Sequence, residues 1–219
     1  NYFQTYVERD VRQMINMKNL IDFERFMRLL AGRIGQILNL SSLANDVGVS
    51  STTLKEWLLL LEASYIVFRL NPFLDNIGKR VIKSPRIYFT DVGLASYLLG
   101  IESPKVAARD PLIGNLFENL VVIEALKTRL NAGKEPELYF FRDNKGNEVD
   151  LLFRTNRQFI PIEIKSALTF NTDFAKGIAH FQKITSHAQK GYVIYAGELT
   201  PDLAHASVRN FAETNTIFH

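Results

Sequence analysis

The sequence predicts an α/β protein of the α+β type. Its first part is all-helical apart from one strand–loop–strand unit, and a mixed sheet that helices flank follows. In the first part apolar residues recur at helical spacing, and in the second part runs of aromatic and β-branched residues alternate with polar turns. At 219 residues, 47% of them hydrophobic, the chain can form one large domain or two small ones. We place the boundary in the Pro-containing linker 101–110 and predict domains at 1–100 and 101–219.

The composition excludes several classes of protein. The chain has no cysteine, which excludes disulfides and thiolate metal sites and agrees with a reducing, cytoplasmic setting. No apolar run approaches the ~20 residues that span a bilayer, and residues 1–6 lack the regions of a signal peptide. We therefore expect a cytoplasmic protein without a membrane partner. Because the sequence starts with Asn1, we expect it to be a fragment of a longer chain.

The first domain is predicted to contain two helices joined by a tight turn. It begins with a helical pattern over residues 2–17, which continues in the same style to residue 30. A short helix with a Ser cap then opens at Leu40 and closes at Gly48, and Ser50 caps a longer helix that carries Trp57 on its apolar face. Two helices joined by a short turn with Gly describe a helix-turn-helix, at about residues 37–63.

A basic loop between two strands follows the helices. The strands are predicted at 65–70 and 86–90, and the loop lies at about 71–85. Segment 69–86 carries much of the positive charge, with Asp75 opposing Arg69, Lys79, Arg80, Lys83 and Arg86. The order of these elements is that of a winged helix, and residues 37–90 resemble that family, with the loop as the wing.

Two interpretations of this winged-helix segment stay open. In the first, it binds DNA: Ser51, Thr52 and Lys55 enter the major groove, and the wing contacts phosphates. The phosphate contacts would come from Lys79, Arg80, Lys83 and Arg86. In the second, it is a packing or docking module, because the longer helix has Lys55 as its only cation, opposed by two glutamates.

The second domain is predicted to be a mixed sheet with helices on its faces. The predicted elements are a helix at 111–130, a hairpin from 139 to 153, a strand at 159–164, a helix at 173–186, a strand at 192–195 and a terminal helix between 200 and 219. Side chains alternate across a strand, so Glu148, Asp150 and Leu152 should share one face. By the same count Glu163 and Lys165 should share a face of the next strand.

Acidic residues on neighbouring strands predict a metal site. Carboxylates without cysteine or histidine form an oxygen-rich site that suits Mg²⁺ or Mn²⁺. Asp150 and Glu163 would be ligands, with the Ile164 carbonyl available as a third. Glu118, on the helix at 111–130, would add a ligand or hold a water. Lys165 would orient or deprotonate the attacking water and stabilise charge on a phosphate, so the predicted chemistry is metal-assisted phosphodiester cleavage.

The order of these residues resembles the PD-(D/E)XK nuclease superfamily, in the style of its Holliday-junction-resolvase branch. Glu118 on a helix, Val149-Asp150 on a strand and Glu163-Ile-Lys165 on the next strand match its pattern, with Val149 in place of the family's proline. The resemblance implies that Asp150 and Glu163 bind metal, that Lys165 assists the nucleophile and that Glu118 supports the site.

The whole chain also resembles the C-terminal part of prokaryotic AAA-type ATPases that carry a domain of unknown function. The matching segments are Tyr-Val-Glu-Arg-Asp-Val from Tyr6, Tyr-Phe-Thr-Asp-Val-Gly-Leu from Tyr88, Gly-Asn-Leu-Phe-Glu-Asn from Gly114, Glu-Val-Asp from Glu148 and Ile-Glu-Ile-Lys-Ser from Ile162. The resemblance implies an ATPase module in cis. The sequence has no G-x-x-x-x-G-K-[ST], so ATP would act only through that preceding module.

A rival hypothesis stays open for the second domain. In it, the nuclease-like fold is catalytically inactive and docks a partner or regulates the ATPase. DNA is the expected partner in the first hypothesis, and self-association into a homo-oligomer is compatible with either.

Overall fold

The computed structural model describes residues 20–73 and 83–219, and it shows an α+β protein. A seven-stranded mixed sheet is flanked by helices, as the sequence predicts. The helix predicted at 2–17 and most of the predicted wing, including Lys79 and Arg80, lie outside the described residues.

The helices and strands have the following bounds. The helices are α1 (Leu20–Ala31), α2 (Leu40–Val47), α3 (Ser51–Ala63), α4 (Val92–Leu98), α5 (Pro104–Ala107), α6 (Ile113–Asn131) and α7 (Lys176–Ile184). The strands are β1 (Val67–Pro72), β2 (Arg86–Phe89), β3 (Leu138–Arg142), β4 (Glu148–Thr155), β5 (Gln158–Lys165), β6 (Gly191–Tyr195) and β7 (Ala206–Asn210). Single 3₁₀ helices cover Thr172–Ala175 and Phe211–Ile217.

Helices α2 and α3 form the predicted helix-turn-helix. Ser50 caps α3 as predicted, since its hydroxyl accepts a hydrogen bond from the Thr53 N–H at 3.0 Å. The predicted Ser cap of α2 is wrong: the cap is Asn39, whose side chain accepts from the Ser42 N–H. Gly48 ends α2 with a φ of 89°, a conformation that favours glycine. Trp57 is buried against Phe23 and Phe26 of α1, and these rings centre the first apolar core.

The strands after α3 join the large sheet. Strand β1 pairs antiparallel with β2, and its end pairs parallel with β3 through Asn71 and Tyr139. The strand order is therefore β2-β1-β3-β4-β5-β6-β7, so the predicted winged-helix hairpin is one edge of the sheet. The predicted domain boundary at 101–110 stays a prediction. The apolar cores lie largely on either side of this segment, but the sheet contains strands from both sides.

The two faces of the sheet carry different apolar layers. On one face, α6 packs its Val122 and Leu126 against Phe140, Leu151 and Ile162, among others. On the other face, α7 packs Phe181 against a second set of strand residues, which are Phe141, Val149, Leu152 and Phe159. The central strands are thus buried on both sides, which explains their nearly continuous apolar sequence.

The end of the chain differs from its prediction. A terminal helix was expected between 200 and 219, but residues 206–210 form strand β7, parallel to β6, and a 3₁₀ helix follows. Ala206 and Val208 are buried while the residues between and after them are not, which is the period-2 burial of a strand. In the described ranges, no helix is long and apolar enough to cross a membrane.

Candidate active site

The candidate site lies where strands β4 and β5 stop pairing with each other. Their ladder runs from Thr155–Gln158 to Leu151–Ile162 and then ends. Beyond its end, the Asp150 carboxylate accepts a hydrogen bond from the backbone N–H of Ile164 at 2.9 Å. Asp150 and Glu163 are each only 4% exposed, so the end of the ladder holds two buried acids side by side.

A break in the side-chain alternation of β4 accompanies this placement. The β3–β4 register shifts between Tyr139 and Phe141, so that β4 gains one residue. Val149 and Leu152 consequently share the α7 face, although alternation predicted them on opposite faces. The prediction for β5 is confirmed, since Ile162 and Ile164 both point into the α6 layer while Glu163 and Lys165 do not.

Lys165 joins the two acids. Its ammonium lies 2.8 Å from Glu163 Oε2 and 3.2 Å from Asp150 Oδ2. Of the three side chains, only that of Lys165 is substantially exposed, at 34%. The arrangement therefore presents one cationic group to solvent above two buried carboxylates.

Helix α7 closes over Glu163 through a glycine. A Cβ atom on Gly177 would lie 2.0 Å from Glu163 Oε1 and 2.4 Å from the backbone oxygen of Glu148. No side chain fits there, so Gly177 permits the close packing of α7 on the site.

Arg86 approaches the site from the opposite side. It is 4% exposed, and its guanidinium donates to Glu118 Oε1 at 3.1 Å and to Glu148 Oε2 at 2.9 Å. Asp150 Oδ1 lies 3.9 Å from it, and the ring of Phe140 lies beneath it at 4.7 Å. The guanidinium is thus held by carboxylates within the protein, and this placement gives no support to the predicted phosphate contact of Arg86.

Glu118 is held in place by two residues of β2. Its Oε1 accepts from Arg86 and, at 2.5 Å, from the buried hydroxyl of Tyr88. Glu118 therefore lies on the Arg86 side of Asp150, whereas Glu163 and Lys165 lie on the other side. Strand β2, from the first half of the chain, shapes a site that the sequence placed in the second half.

Burial and neighbouring charge raise the pKa values of two acids. Burial raises the pKa of Glu118 to about 7, the charge of Asp150 acts in the same direction, and Arg86 opposes it. Burial also raises the pKa of Glu163 well above its ordinary value, again with a contribution from Asp150. Protons are therefore held more firmly at these carboxylates than in water.

The pKa of Asp150 is lowered and that of Lys165 is raised, so both groups are held in their charged forms. Burial alone would raise the pKa of Asp150, but the charges of Lys165 and Arg86 and the Ile164 N–H outweigh it and lower the pKa. Burial alone would lower the pKa of Lys165, but the charges of Asp150 and Glu163 raise it above its ordinary value. Asp150 and Lys165 are thus an ion pair at neutral pH.

The donor set fits a hard divalent cation. The Asp150 and Glu163 oxygens converge on one ammonium, so they already face a shared position for a positive charge. In 20–73 and 83–219, no three His, Cys, Asp or Glu side chains are spaced as a group that could hold a metal ion. The three predicted carboxylate ligands are therefore not brought together around one position, because Glu118 lies on the Arg86 side of Asp150. A divalent ion held by Asp150 and Glu163 would need backbone oxygen or water as further ligands, as Mg²⁺ often has.

The residues predicted to contact nucleic acid fall into three groups: exposed, outside the described residues, and buried. Ser51, Thr52 and Lys55 are exposed on α3, and Lys83 is exposed before β2. A groove of about 590 Å³ runs beside them and is lined by Ser51, Lys55, Arg69 and Ser84 among other residues. Lys79 and Arg80 lie outside the described residues, and Arg86 is buried.

Sequence reasoning missed Arg86, Tyr88 and Gly177 as parts of the site. Strand β2 reads Arg-Ile-Tyr-Phe and is buried along its whole length. An arginine and a tyrosine in so short a buried strand need polar partners, but the burial of the strand comes from tertiary pairing and is not evident in the sequence. Gly177 gave no local signal, because its role depends on the packing of α7.

The comparisons with known proteins identify families without an assigned function. Residues 1–105 match a family described as Domain of unknown function (DUF8612), and residues 113–212 match Domain of unknown function (DUF4143). Uncharacterized proteins of Mycobacterium bovis and Mycobacterium tuberculosis are each 33% identical over 168 residues, or 77% of this chain. The chain spans only 37% of the length of these relatives. No solved structure matches the chain.

Proposed function

We propose that this chain is the DNA-associated part of a larger cytoplasmic protein and hydrolyses phosphodiester bonds with the help of Mg²⁺ or Mn²⁺. One observation carries the proposal: the Lys165 ammonium contacts both buried carboxylates, Asp150 and Glu163, at the end of the β4–β5 ladder. A cation, two acids and an open approach to solvent are what metal-assisted attack on a phosphate requires.

The residues would divide the work as follows. Asp150 and Glu163 would hold the metal, which supplies Lewis acidity towards a phosphate oxygen. The Ile164 N–H fixes the Asp150 carboxylate, and Gly177 lets α7 hold Glu163 in place. Lys165, the most exposed of the three charged groups, would orient the attacking water and stabilise negative charge on the phosphate. Glu118 supports the site from the Arg86 side.

The contacts of Lys165 favour this proposal over an inactive docking module. Two buried acids are costly even when they are paired, and a module kept only for docking could carry apolar residues at both positions. Their presence beneath an exposed lysine therefore favours a chemical role. Exposed Ser51, Thr52, Lys55 and Lys83 around the α3 groove suit a nucleic-acid backbone. The relatives are much longer than this chain, which leaves room for the AAA-type ATPase module that the sequence resemblance implies.

A cleavage assay on duplex and branched DNA with Mg²⁺ or Mn²⁺ tests the proposal. We expect hydrolysis by the wild type and its loss in Asp150→Ala and Lys165→Ala. Lys145→Ala, at the exposed turn of the β3–β4 hairpin, is the matched control and should keep full activity. Cleavage that persists in the Asp150 and Lys165 variants would show that the site is wrongly assigned. No cleavage by a folded wild type that also binds no Mn²⁺ would favour the docking module.

A further inference from the structure

Asp150 divides its two oxygens between two cations. Oδ2 accepts from the Ile164 N–H and faces the Lys165 ammonium at 3.2 Å, while Oδ1 faces the Arg86 guanidinium at 3.9 Å. A carboxylate that bridges two metal ions in a hydrolase uses its oxygens in the same way. The position of Lys165 is open to solvent, but the position of Arg86 is closed.

The position of Arg86 has the surroundings of a cation site. Among the described residues, three carboxylates surround the guanidinium: Glu118 at 3.1 Å, Glu148 at 2.9 Å and Asp150 at 3.9 Å. The Phe140 ring covers one of its faces. Within the described ranges, Nε has no hydrogen-bond partner, so the guanidinium is held by its two terminal nitrogens and by charge. Its charge is permanent, because arginine does not lose its proton in proteins.

The charges of the site support this interpretation. In the part of the chain that the structure describes, the site contains the carboxylates of Glu118, Glu148, Asp150 and Glu163, against the cations Arg86 and Lys165 and a third cation, Arg142, which contacts Glu148 at 3.2 Å from the rim of the site. Four acids at a phosphodiesterase site would ordinarily suit two divalent ions about 3.5–4 Å apart. Here one of the two cation positions is filled by a side chain that cannot leave.

We propose that Arg86 is a built-in substitute for a second metal ion, so that this site takes a single divalent cation, on the Lys165 side of Asp150. Arg86 is thus a positioning residue: it fixes Asp150 and Glu118 and sets the number of ions that the site accepts. The inference rests on the proposed function for the first ion, but the role of Arg86 in excluding a second ion can be measured by itself.

The test counts Mn²⁺ ions bound per chain by calorimetry, without nucleic acid. We expect one ion in the wild type and one in Arg86→Lys, which keeps a charge. We expect two in Arg86→Ala, where Glu118, Glu148 and Asp150 lose the guanidinium that lies among them and can close around a second ion. The double variant Arg86→Ala/Glu148→Gln should return to one ion, because it lacks a ligand for the second. Circular dichroism checks the fold of each variant.

A second variant guards against unfolding of Arg86→Ala, which removes the cation shared by three carboxylates and leaves Glu148 with Arg142 and Asp150 with Lys165. Arg86→Gln keeps amide donors near Glu118 and Glu148 and should also gain an ion. Two ions in the wild type would overturn the inference without any variant. So would a folded Arg86→Ala or Arg86→Gln that binds no more ions than the wild type. Zero ions in the wild type with one in Arg86→Ala would remove the proposed function and the ion on the Lys165 side, but it would still show that Arg86 fills a cation position.

Discussion

The backbone N–H of Ile164 donates to the side chain of Asp150 at 2.9 Å, just past the last paired residues of β4 and β5. A side-chain oxygen thus takes the place of a backbone carbonyl, and the two strands can separate without leaving a buried donor unpaired. The gap between them is where the Lys165 ammonium meets both acids. The same hydrogen bond orients Asp150 for the chemistry proposed above.

Replacing Gly177 by alanine should disrupt the site from the α7 side. Its methyl group would meet Glu163 Oε1 at 2.0 Å and the backbone oxygen of Glu148 at 2.4 Å, and backbone cannot rotate away. We expect a loss of about 1–3 kcal/mol in the free energy of unfolding, typical of overpacking, measured by urea denaturation. Weaker Mn²⁺ binding should accompany it, because Glu163 is displaced.

Gly114→Ala is the matched control for this change. Gly114 lies in α6, where the nearest atom to an added Cβ is Ser166 Oγ at 3.9 Å. Alanine should therefore stabilise the protein by roughly 0.5–1 kcal/mol, through helix propensity alone. Equal stability of the two alanine variants would contradict the close packing of α7 on Glu163.

Without divalent ions, the protein should become less stable as pH rises from about 4.5 to about 7. Burial raises the pKa of Glu118 from 4.5 to about 7, so in this range the folded state binds a proton that the unfolded state has lost. Stability must then fall with pH, by up to about 3 kcal/mol for this group. Urea denaturation at several pH values measures the slope.

Glu118→Gln should flatten this pH dependence, and Glu124→Gln on the exposed face of the same helix should not. Part of the slope should remain in Glu118→Gln, because the pKa of Glu163 is also raised by burial. A slope unchanged by Glu118→Gln would mean that Glu118 is ionised in the folded protein at neutral pH.

Lys165→Ala should change metal binding and hydrolysis in opposite directions. Removing the ammonium that lies between Asp150 and Glu163 removes a competing cation, so Mn²⁺ should bind at least about tenfold tighter. Hydrolysis should fall by about 10²–10³-fold, since the group that orients the water and stabilises charge is lost. Lys145→Ala should change neither quantity. A parallel loss of both would indicate that the site had simply unfolded.

The sequence predicted the strands of the site well because its signals there are local. Alternation placed Glu163 and Lys165 together on β5, and Ile162 and Ile164 in the core, as the structure has them. On β4 the same rule failed at Val149, because a register shift is set by the pairing with β3 and leaves no mark in β4 itself. Such irregularities depend on tertiary pairing.

The long-range part of the site could not be predicted in the same way. Arg86 looked like one more cation of a basic loop, and charge counting assigned it to a phosphate. Its burial follows from the pairing of β1 with β3, which carries β2 into the sheet and sets Arg86 over Phe140. That pairing joins Asn71 to Tyr139, far apart in the chain, and no local pattern encodes it.

Lys55→Ala and Lys83→Ala should each weaken DNA binding in a salt-dependent way. Both side chains are exposed, and Lys55 lines the groove beside α3. If each contacts a phosphate, each substitution should lower the slope of log K against log salt by about 1. Fluorescence anisotropy with labelled duplex DNA measures this, with Lys105→Ala on α5 as the control. Slopes equal to that of the wild type would argue for the packing or docking module.

Asn119→Ala should weaken the packing of α6 on β2, and so lower the free energy of unfolding, more than a surface substitution does. Asn119 is fully buried, and its amide accepts from the Phe89 N–H and donates to the Phe89 oxygen, both at 2.8 Å. It thereby covers the outer edge of β2 as a further strand would. Alanine would leave two buried backbone groups unpaired, at a cost of about 2–4 kcal/mol in unfolding free energy.

Asn115→Ala, one turn earlier, is the control: it loses a single half-buried hydrogen bond to the Ile34 oxygen and should cost about 1 kcal/mol. Because β2 also carries Arg86 and Tyr88, Asn119→Ala should weaken Mn²⁺ binding as well, whereas Asn115→Ala should leave it unchanged.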